Sequence, residues 1–201
     1  MERAPLAFGH GTDNARDEAV WLVLAALDRS PVEARVDPAE PLDSDAIASI
    51  DALLARRIAE RRPLAYLTGK AWFAGLAFRC DERALVPRSP LAEPILERFE
   101  PWIGARPAAR ILDLGTGNGC IALACAHAFP EAAVDATDVD GAALALAREN
   151  IADHGMGDRL ALYQGDLFAP LPSGRRYDLI VSNPPYVDAE AMAALPAEYA
   201  R

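Results

Sequence analysis

The fold is decided by the stretch ILDLGTGNGC, residues 111–120. An apolar run, residues 109–114, is typical of a buried parallel strand, and Asp113 interrupts it near its end. Three glycines follow at alternate positions, and an apolar segment typical of a helix, residues 121–129, comes next. Glycine permits a sharp turn with positive φ and lets a ligand lie against the main chain, while the helix presents N–H groups to it. The stretch therefore predicts a strand, loop and helix that hold a nucleotide-like ligand.

The spacing of the glycines indicates which class of nucleotide-like ligand the loop binds. A dinucleotide fingerprint reads G-x-G-x-x-G, whereas Gly115, Gly117 and Gly119 follow the pattern G-x-G-x-G. Asp113 would repel a pyrophosphate, but its carboxylate suits a ligand with an ammonium group. The pattern resembles the first motif of class I methyltransferases, which bind S-adenosylmethionine through its amino-acid end. A plain strand-to-helix turn and a nicotinamide site are the alternatives.

Beyond the glycine loop the sequence alternates between strand and helix, which predicts a parallel sheet. Three further strands are expected, at residues 132–137, 160–164 and 177–182. Each is followed by a polar residue, namely Asp138, Asp166 or Asn183. Because open α/β sheets bind ligands at the carboxyl ends of their strands, these side chains are predicted to converge. Asp138 can accept hydrogen bonds from both hydroxyls of a ribose, whereas Asp140 is interpreted as a helix cap.

The tetrapeptide Asn183-Pro184-Pro185-Tyr186 follows the last of these strands. Its two prolines fix φ and donate no hydrogen bonds, so the turn is stiff and its carbonyl groups can accept. Asn183 adds a side-chain carbonyl group and Tyr186 an aromatic wall. Acceptors for both hydrogens of a substrate NH₂ group orient its nitrogen lone pair towards an electrophilic methyl group and favour the transition state. We therefore expect methyl transfer to such a nitrogen, without a metal or a charged general base.

The tetrapeptide, placed after this glycine loop, resembles the amino-methyltransferases that act on glutamine amides, adenine amines of DNA and some RNA guanines. The helical N-terminal part, a predicted hairpin and Val86-Pro87-Arg88 resemble the glutamine methyltransferases specifically. Four segments resemble the branch that methylates a glutamine of large-subunit ribosomal protein L-three: GHGTDN at 9–14, AWF at 71–73, PRSPLAE at 87–93 and YVDAE at 186–190.

This resemblance implies an α/β fold, the Rossmann-like parallel sheet of class I methyltransferases, and a sheet that continues beyond Arg201. A helical substrate-recognition domain at 1–63 and a hairpin-and-helix connector at 64–104 would precede the methyltransferase domain at 105–201.

The implied cofactor is S-adenosyl-L-methionine, which leaves as S-adenosyl-L-homocysteine. The residues implied to line it are Asp113, Leu114, Gly115, Thr116, Gly117, Asp138, Asp166, Leu167 and Asn183. The adenine amine would meet Asp166, with Leu167 against the ring. The residues implied to hold the glutamine amide are Asn183, Pro184, Pro185 and Tyr186, and those implied to act catalytically are Asn183, Pro184 and Tyr186.

The composition indicates the cellular location of the protein and the kinds of partner that it can bind. The 201 residues carry a formal net charge of −10, which argues against direct binding of DNA and suits a basic protein partner such as L-three. No signal peptide or membrane-length apolar run is evident, so a cytoplasmic protein is expected. The three cysteines and three histidines show no zinc spacing, and no metal is expected. The alternatives are a release-factor glutamine methyltransferase, a nucleic-acid amino-methyltransferase, and binding of cofactor or partner without turnover.

The N-terminal half is expected to be mainly helical. A helix is predicted to start at Thr12 or Asp13, with Ala19, Val20, Val23, Leu24 and Leu27 facing a core. A second begins near Ser44 and ends at Arg61-Arg62, with Ile47, Ile50, Leu54 and Ile58 on one face. Aromatic residues around Gly69 and Gly75, Tyr66 among them, indicate a hairpin. A further helix is predicted from a Ser89 cap to Gly104, with Leu91, Ile95, Leu96 and Phe99 on its apolar face.

Overall fold

The computed structural model describes residues 6–8, 14–31, 37, 39–104 and 106–184. Its contacts divide the chain into two compact units, with a boundary between Gly69 and Lys70. The division into domains at 1–63, 64–104 and 105–201 stays a prediction. No helix in the described part of the chain is both long and apolar enough to cross a membrane.

Among its described residues, the first unit has the helices α1 (Ala15–Ala26), α2 (Ser44–Glu60) and α3 (Leu64–Thr68). The side chain of Asn14 caps α1 by accepting from two main-chain N–H groups, so the expected start at Thr12 or Asp13 is wrong by one or two residues. Helix α2 begins where it was predicted. Tyr66 lies in α3 and not in the hairpin, because the helix ends only at Gly69, which has a left-handed φ of 69°.

The apolar face predicted for α2 is confirmed only in part, since Ile50 and Leu54 are half-buried but Ile47 and Ile58 are exposed. Ile47 is 48% exposed and Ile58 is 40% exposed, whereas Arg57 on the same helix is fully buried. Arg57 Nε lies 2.7 Å from Oε1 of buried Glu18 on α1, and its Nη2 donates to the carbonyl oxygen of Ala7 at 3.0 Å. A buried charge needs a partner with good geometry. Helix α2 is therefore oriented so that Arg57 is buried in this ion pair, on the same face as half-buried Ile50 and Leu54.

The second unit begins with the predicted hairpin, formed by β1 (Lys70–Phe73) and β2 (Leu76–Arg79). Ala74 and Gly75 connect the strands, with φ values of 48° and 79°. Two left-handed residues in a two-residue loop are typical of a type I′ turn, whose twist matches that of the flanking strands. The hairpin contributes Phe73 and Phe78 to the core of this unit.

The single helix predicted from Ser89 to Gly104 is wrong. The structure has two short helices, α4 (Ala92–Leu96) and α5 (Glu100–Ile103), and between them Arg98 and Phe99 adopt left-handed φ values of 53° and 52°. A continuous helix would have no N–H donor at Pro101, whose ring would clash with the preceding turn. The break buries Phe99 and leaves Leu96 64% exposed.

The predicted parallel sheet is confirmed. It consists of β3 (Arg110–Leu114), β4 (Ala133–Asp138), β5 (Leu160–Gln164) and β6 (Leu179–Ser182), in the order β5-β4-β3-β6. Helix α6 (Cys120–Ala128) follows β3, and α7 (Gly141–Asp153) follows β4. Residues 120–126 of α6 are all buried, among side chains from the sheet and the hairpin. This packing fixes the start of α6, and with it the glycine loop, at the carboxyl edge of the sheet.

A polar cluster holds the connection between β5 and β6, residues 165–178, which contains no helix. Asp135 on β4 is buried and accepts from Arg175 Nη1 at 2.6 Å and from the Tyr177 hydroxyl group at 2.7 Å. Arg175 also donates to the Tyr163 hydroxyl group at 3.2 Å. The carboxylate raises the pKa of Arg175, while burial and the same carboxylate raise that of Tyr177. The cluster fastens the connection to the sheet by charge-assisted hydrogen bonds.

Candidate functional site

The carboxyl ends of three strands bring predicted site residues to one edge of the sheet. In the ladder, Leu114 at the end of β3 pairs with Thr137 of β4 on one side and with Ser182 of β6 on the other. The glycine loop, Asp138 and Asn183 each continue directly from these paired residues. Ligands of open α/β sheets bind in this position.

The glycine loop is tied to β4 by its main chain. The N–H groups of Gly115 and Thr116 both donate to the carbonyl oxygen of Thr137, at 2.9 and 3.0 Å. Gly115 has a φ of 68°, and a Cβ atom placed there would meet no atom within 4 Å. The loop therefore leaves open space beside its main chain at Gly115, where a ligand can approach closely.

Asp113 lies beneath this loop and is fully buried. Its Oδ2 accepts from the Thr116 hydroxyl group at 2.6 Å and from the Ala122 N–H group at 3.1 Å. Its Oδ1 has no hydrogen-bond partner among the described residues. Burial raises the pKa of Asp113 to about 7, and the two hydrogen bonds only partly oppose this rise. An ammonium group at Oδ1 would satisfy the orphaned acceptor and stabilise the ionised form.

Asp138 connects the loop to the start of α7. Its Oδ2 accepts from the Gly117 N–H group at 2.8 Å, and its Oδ1 accepts from the Asp140 N–H group at 2.9 Å. Each carboxylate oxygen has a second acceptor site, so this half-buried side chain can still receive two hydroxyl groups. Asp140 caps α7 by accepting from the Ala142 N–H group at 2.8 Å, as predicted.

Asp166 and Leu167 follow β5 at the neighbouring strand end, and both are exposed. Leu167 has a φ of 43°, a left-handed conformation that is strained for a branched side chain, and it is 55% exposed. Phe168 beside it is 54% exposed. Apolar side chains held at a strand end by a strained main chain suit contact with a flat ring. The assignment of Asp166 and Leu167 to adenine stays a prediction.

Asn183 is half-buried, and its Nδ2 donates to the carbonyl oxygen of Arg88 at 3.1 Å. Since Nδ2 is the donor in this contact, Oδ1 is the acceptor end of the amide. The adjacent Ser182 hydroxyl group donates to the carbonyl oxygen of Leu114 at 2.9 Å, which joins the end of β6 to that of β3. Pro184 is exposed. Pro185 and Tyr186 lie outside the described residues, so the second half of the tetrapeptide stays a prediction.

Asn118 and Asn150 are buried polar residues near the loop that the sequence analysis missed. Asn118 belongs to the loop itself, and Asn150 on α7 donates to its carbonyl oxygen at 2.9 Å. Asn150 lies on the stripe of α7 that also buries Leu146, Ala147 and Ile151. A polar residue at a core-facing position of an amphipathic helix was therefore a signal in the sequence.

Comparisons with known proteins agree with this geometry. Residues 96–197 match the family model described as methyltransferase small domain, and residues 8–69 match that of the PrmC N-terminal domain. A ribosomal protein uL3 glutamine methyltransferase of Bordetella pertussis is 48% identical over 206 residues, which cover 99% of this chain and 67% of the relative. The chain belongs to the glutamine methyltransferase family. The relative of the same description from Xanthomonas campestris is 52% identical, over 99% of this chain and 64% of that protein.

The chain thus spans about two thirds of the length of these glutamine methyltransferases. Among solved structures, the human methyltransferase 10 domain containing protein matches with 26% identity and a TM-score of 0.47, over 56% of this chain and 55% of that one. The class I methyltransferase fold predicted from the sequence, with its parallel sheet, helical N-terminal region and small hairpin, is confirmed.

Proposed function

We propose that the protein transfers a methyl group from S-adenosyl-L-methionine to the side-chain amide nitrogen of a glutamine in ribosomal protein uL3, the large-subunit protein L-three. The observation that carries this proposal is the likeness to uL3 glutamine methyltransferases, at 48–52% identity over 99% of the chain. The hydrogen-bond acceptors at the carboxyl edge of the sheet, Asp113, Asp138 and Asn183, support the same reaction. The reaction would take place in the cytoplasm, where ribosomal proteins are synthesised.

The residues at the carboxyl edge fit the chemical groups of this cofactor. Asp113 Oδ1, a buried acceptor with no partner among the residues that the structure describes, would receive the ammonium group of the amino-acid end. Asp138 would receive the ribose hydroxyls, and Asp166 with Leu167 would hold the adenine. Leu114, Gly115, Thr116 and Gly117 would lie against the amino-acid end. When bound, S-adenosylmethionine supplies an electrophilic methyl group on its sulfonium.

Asn183 and the turn that follows would orient the glutamine amide. An amide nitrogen is a poor nucleophile because its lone pair is delocalised into the carbonyl group. Hydrogen-bond acceptors from Asn183 Oδ1 and the carbonyl group of Pro184 would hold both N–H bonds and align the nitrogen for attack. Pro185 and Tyr186 would complete the pocket. The new N–CH₃ bond would form as the S–CH₃ bond breaks with its electrons left on sulfur. The acceptors would stabilise the positive charge that develops on the nitrogen, and one N–H proton would then pass to water to restore the neutral amide.

The charge of the chain supports a basic protein as the partner. Its formal net charge is −10, and ribosomal proteins are commonly basic because they bind RNA. Opposite charges on the two proteins would speed their encounter. The negative charge of this chain would also repel the phosphates of nucleic acid. DNA is therefore not expected to be a substrate.

The test is methyl transfer from labelled S-adenosylmethionine, with the complete protein and three acceptors: unmethylated uL3, release factor and duplex DNA. We expect label on a uL3 glutamine, and Asn183→Ala should lower kcat by about 100-fold or more, since it removes an acceptor used in the transition state. Glu131→Ala is the control and should retain kcat, because Glu131 is exposed and lies just before β4, at the end of the strand opposite Asp138. Label on release factor or DNA instead of uL3 would refute the proposed substrate.

A further inference from the structure

Asn150 joins two segments that are distant in the sequence. Its side chain is 1% exposed and makes three hydrogen bonds. Its Oδ1 accepts from the Arg79 N–H group at 2.7 Å, and its Nδ2 donates to the carbonyl oxygens of Asn118 at 2.9 Å and Arg79 at 3.3 Å. One amide therefore binds the end of β2 and the glycine loop together.

We propose that Asn150 is a positioning residue of the cofactor site, which fixes the main chain of the glycine loop at Asn118 and couples it to the hairpin. The identity of the ligand rests on the proposed function. Asn150 itself need not touch the ligand. Its effect is transmitted through the carbonyl group of Asn118.

The glycine loop needs such an external restraint. Glycines lose more conformational freedom on folding than other residues, and three alternate here within five positions. Strand β4 holds the first part of the loop, at Gly115, Thr116 and Gly117. The contact from Asn150 on α7 holds the next residue, Asn118.

The surroundings of Asn118 show that the loop is held in this shape at a cost. Its Oδ1 accepts from the Cys120 N–H group at 3.2 Å, but its buried Nδ2 has no hydrogen-bond partner among the described residues. A buried donor left unsatisfied is unfavourable, so other contacts must maintain this conformation. Close packing adds a second restraint from α7, since a Cβ atom at Gly119 would lie 3.2 Å from Ala147 Cβ.

Asn150→Asp separates this role from plain packing. At pH 8.5, chosen so that burial does not keep the new carboxyl group protonated, the carboxylate keeps the size of the side chain and an acceptor for the Arg79 N–H group, but it cannot donate to Asn118. The matched control is Ile151→Val, which removes one methyl group from the next residue of α7, also buried. Asn150→Ser, a smaller and uncharged change, is the second variant in case Asn150→Asp does not fold.

Two measurements are made on the complete protein. The first is the Kd for S-adenosylhomocysteine by titration calorimetry, and we expect Asn150→Asp or Asn150→Ser to raise it about tenfold, with Ile151→Val within twofold of the wild type. The second, made without ligand, is hydrogen exchange, and we expect the loop amides at 117–119 to exchange at least fivefold faster in the Asn150 variants while α6 amides keep their rates.

Unchanged loop exchange in the Asn150 variants, or an equal rise of Kd in Ile151→Val, would overturn the positioning role. A wild-type protein that binds no S-adenosylhomocysteine would count against the proposed function instead, and the exchange measurement would still decide the role of Asn150.

Discussion

Replacing Asp113 by asparagine is expected to stabilise the protein at alkaline pH relative to acidic pH, and to weaken cofactor binding. Burial raises the pKa of this carboxyl group to about 7 from its ordinary value of 3.8. In the folded protein it keeps its proton up to about pH 7, whereas in the unfolded chain it loses the proton near pH 3.8. Its contribution to stability is therefore complete below pH 3.8 and is lost as the pH rises through 7.

The size of the effect follows from this pKa. Each pH unit of the interval costs about 1.4 kcal/mol, so between pH 5.5 and 7 the wild type should lose about 2 kcal/mol that the variant keeps. Asparagine can accept from Thr116 and Ala122 through its oxygen as Asp113 does, and it does not titrate. The histidines are common to both proteins and cancel in the comparison.

Urea unfolding of both proteins at pH 5.5, 7 and 8.5 measures this difference, in a range that avoids the sequence pI of about 4.8. In Thr116→Val the hydroxyl group that lowers the pKa of Asp113 is absent, so the loss should shift to higher pH. The Kd for S-adenosylhomocysteine should rise about 10- to 100-fold in Asp113→Asn, because a charge-assisted hydrogen bond is lost. Parallel stability curves for the wild type and Asp113→Asn would refute the assignment of this pKa.

Three further substitutions test other contacts. Glu18→Gln removes the negative charge from its buried ion pair with Arg57 and should lower the free energy of unfolding by about 3–5 kcal/mol in urea titrations. Gly119→Ala should lower the melting temperature more than Gly155→Ala. Both glycines have a left-handed φ, so both substitutions strain the main chain. Only at 119 would the new Cβ also lie 3.2 Å from Ala147 Cβ, whereas at 155 it would meet no atom within 4 Å. Asp135→Ala should speed tryptic cleavage of the β5–β6 connection at least severalfold, because it removes the acceptor that holds the connection to the sheet.

Each of these has a result that contradicts it. A loss below 1 kcal/mol in Glu18→Gln would show that the pair is not buried in solution. Equal melting temperatures for the two glycine variants would remove the argument from close packing. Cleavage of Asp135→Ala at the wild-type rate would mean that the connection is held by other contacts.

The sheet could be predicted from the sequence because its signals are local. Four apolar segments, the first followed by the glycine loop and the others by polar residues, require only strand patterns and the rule for parallel sheets. The positions of Asp113 and Asp138 at the same edge follow from this topology. Their tethering contacts with Thr116 and Gly117 do not, since they depend on the path of the loop.

The errors arose where distant residues decide the local structure. Glu18 and Arg57 are 39 positions apart, and nothing in the helical periodicity of α2 indicates that an arginine is the buried residue. The hydrogen bond between Asn150 and Arg79, 71 positions away, is equally absent from the local pattern, although the core-facing position of Asn150 on α7 is not. The break before α5 is different, because Pro101 was visible in the sequence and its steric effect on the preceding turn was overlooked.

Helix α6 has a consequence for the tolerance of this protein to random mutation. Seven consecutive residues, 120–126, are buried on all sides, and three of them are alanines. A single base change in an alanine codon yields only Gly, Val, Thr, Ser, Pro, Asp or Glu, so almost every such change adds volume, adds a polar group or breaks the helix at a position without room for it. A library of random single-base changes selected for folding should therefore be most depleted over these seven codons, more so than over the polar strand ends that we assign to the reaction.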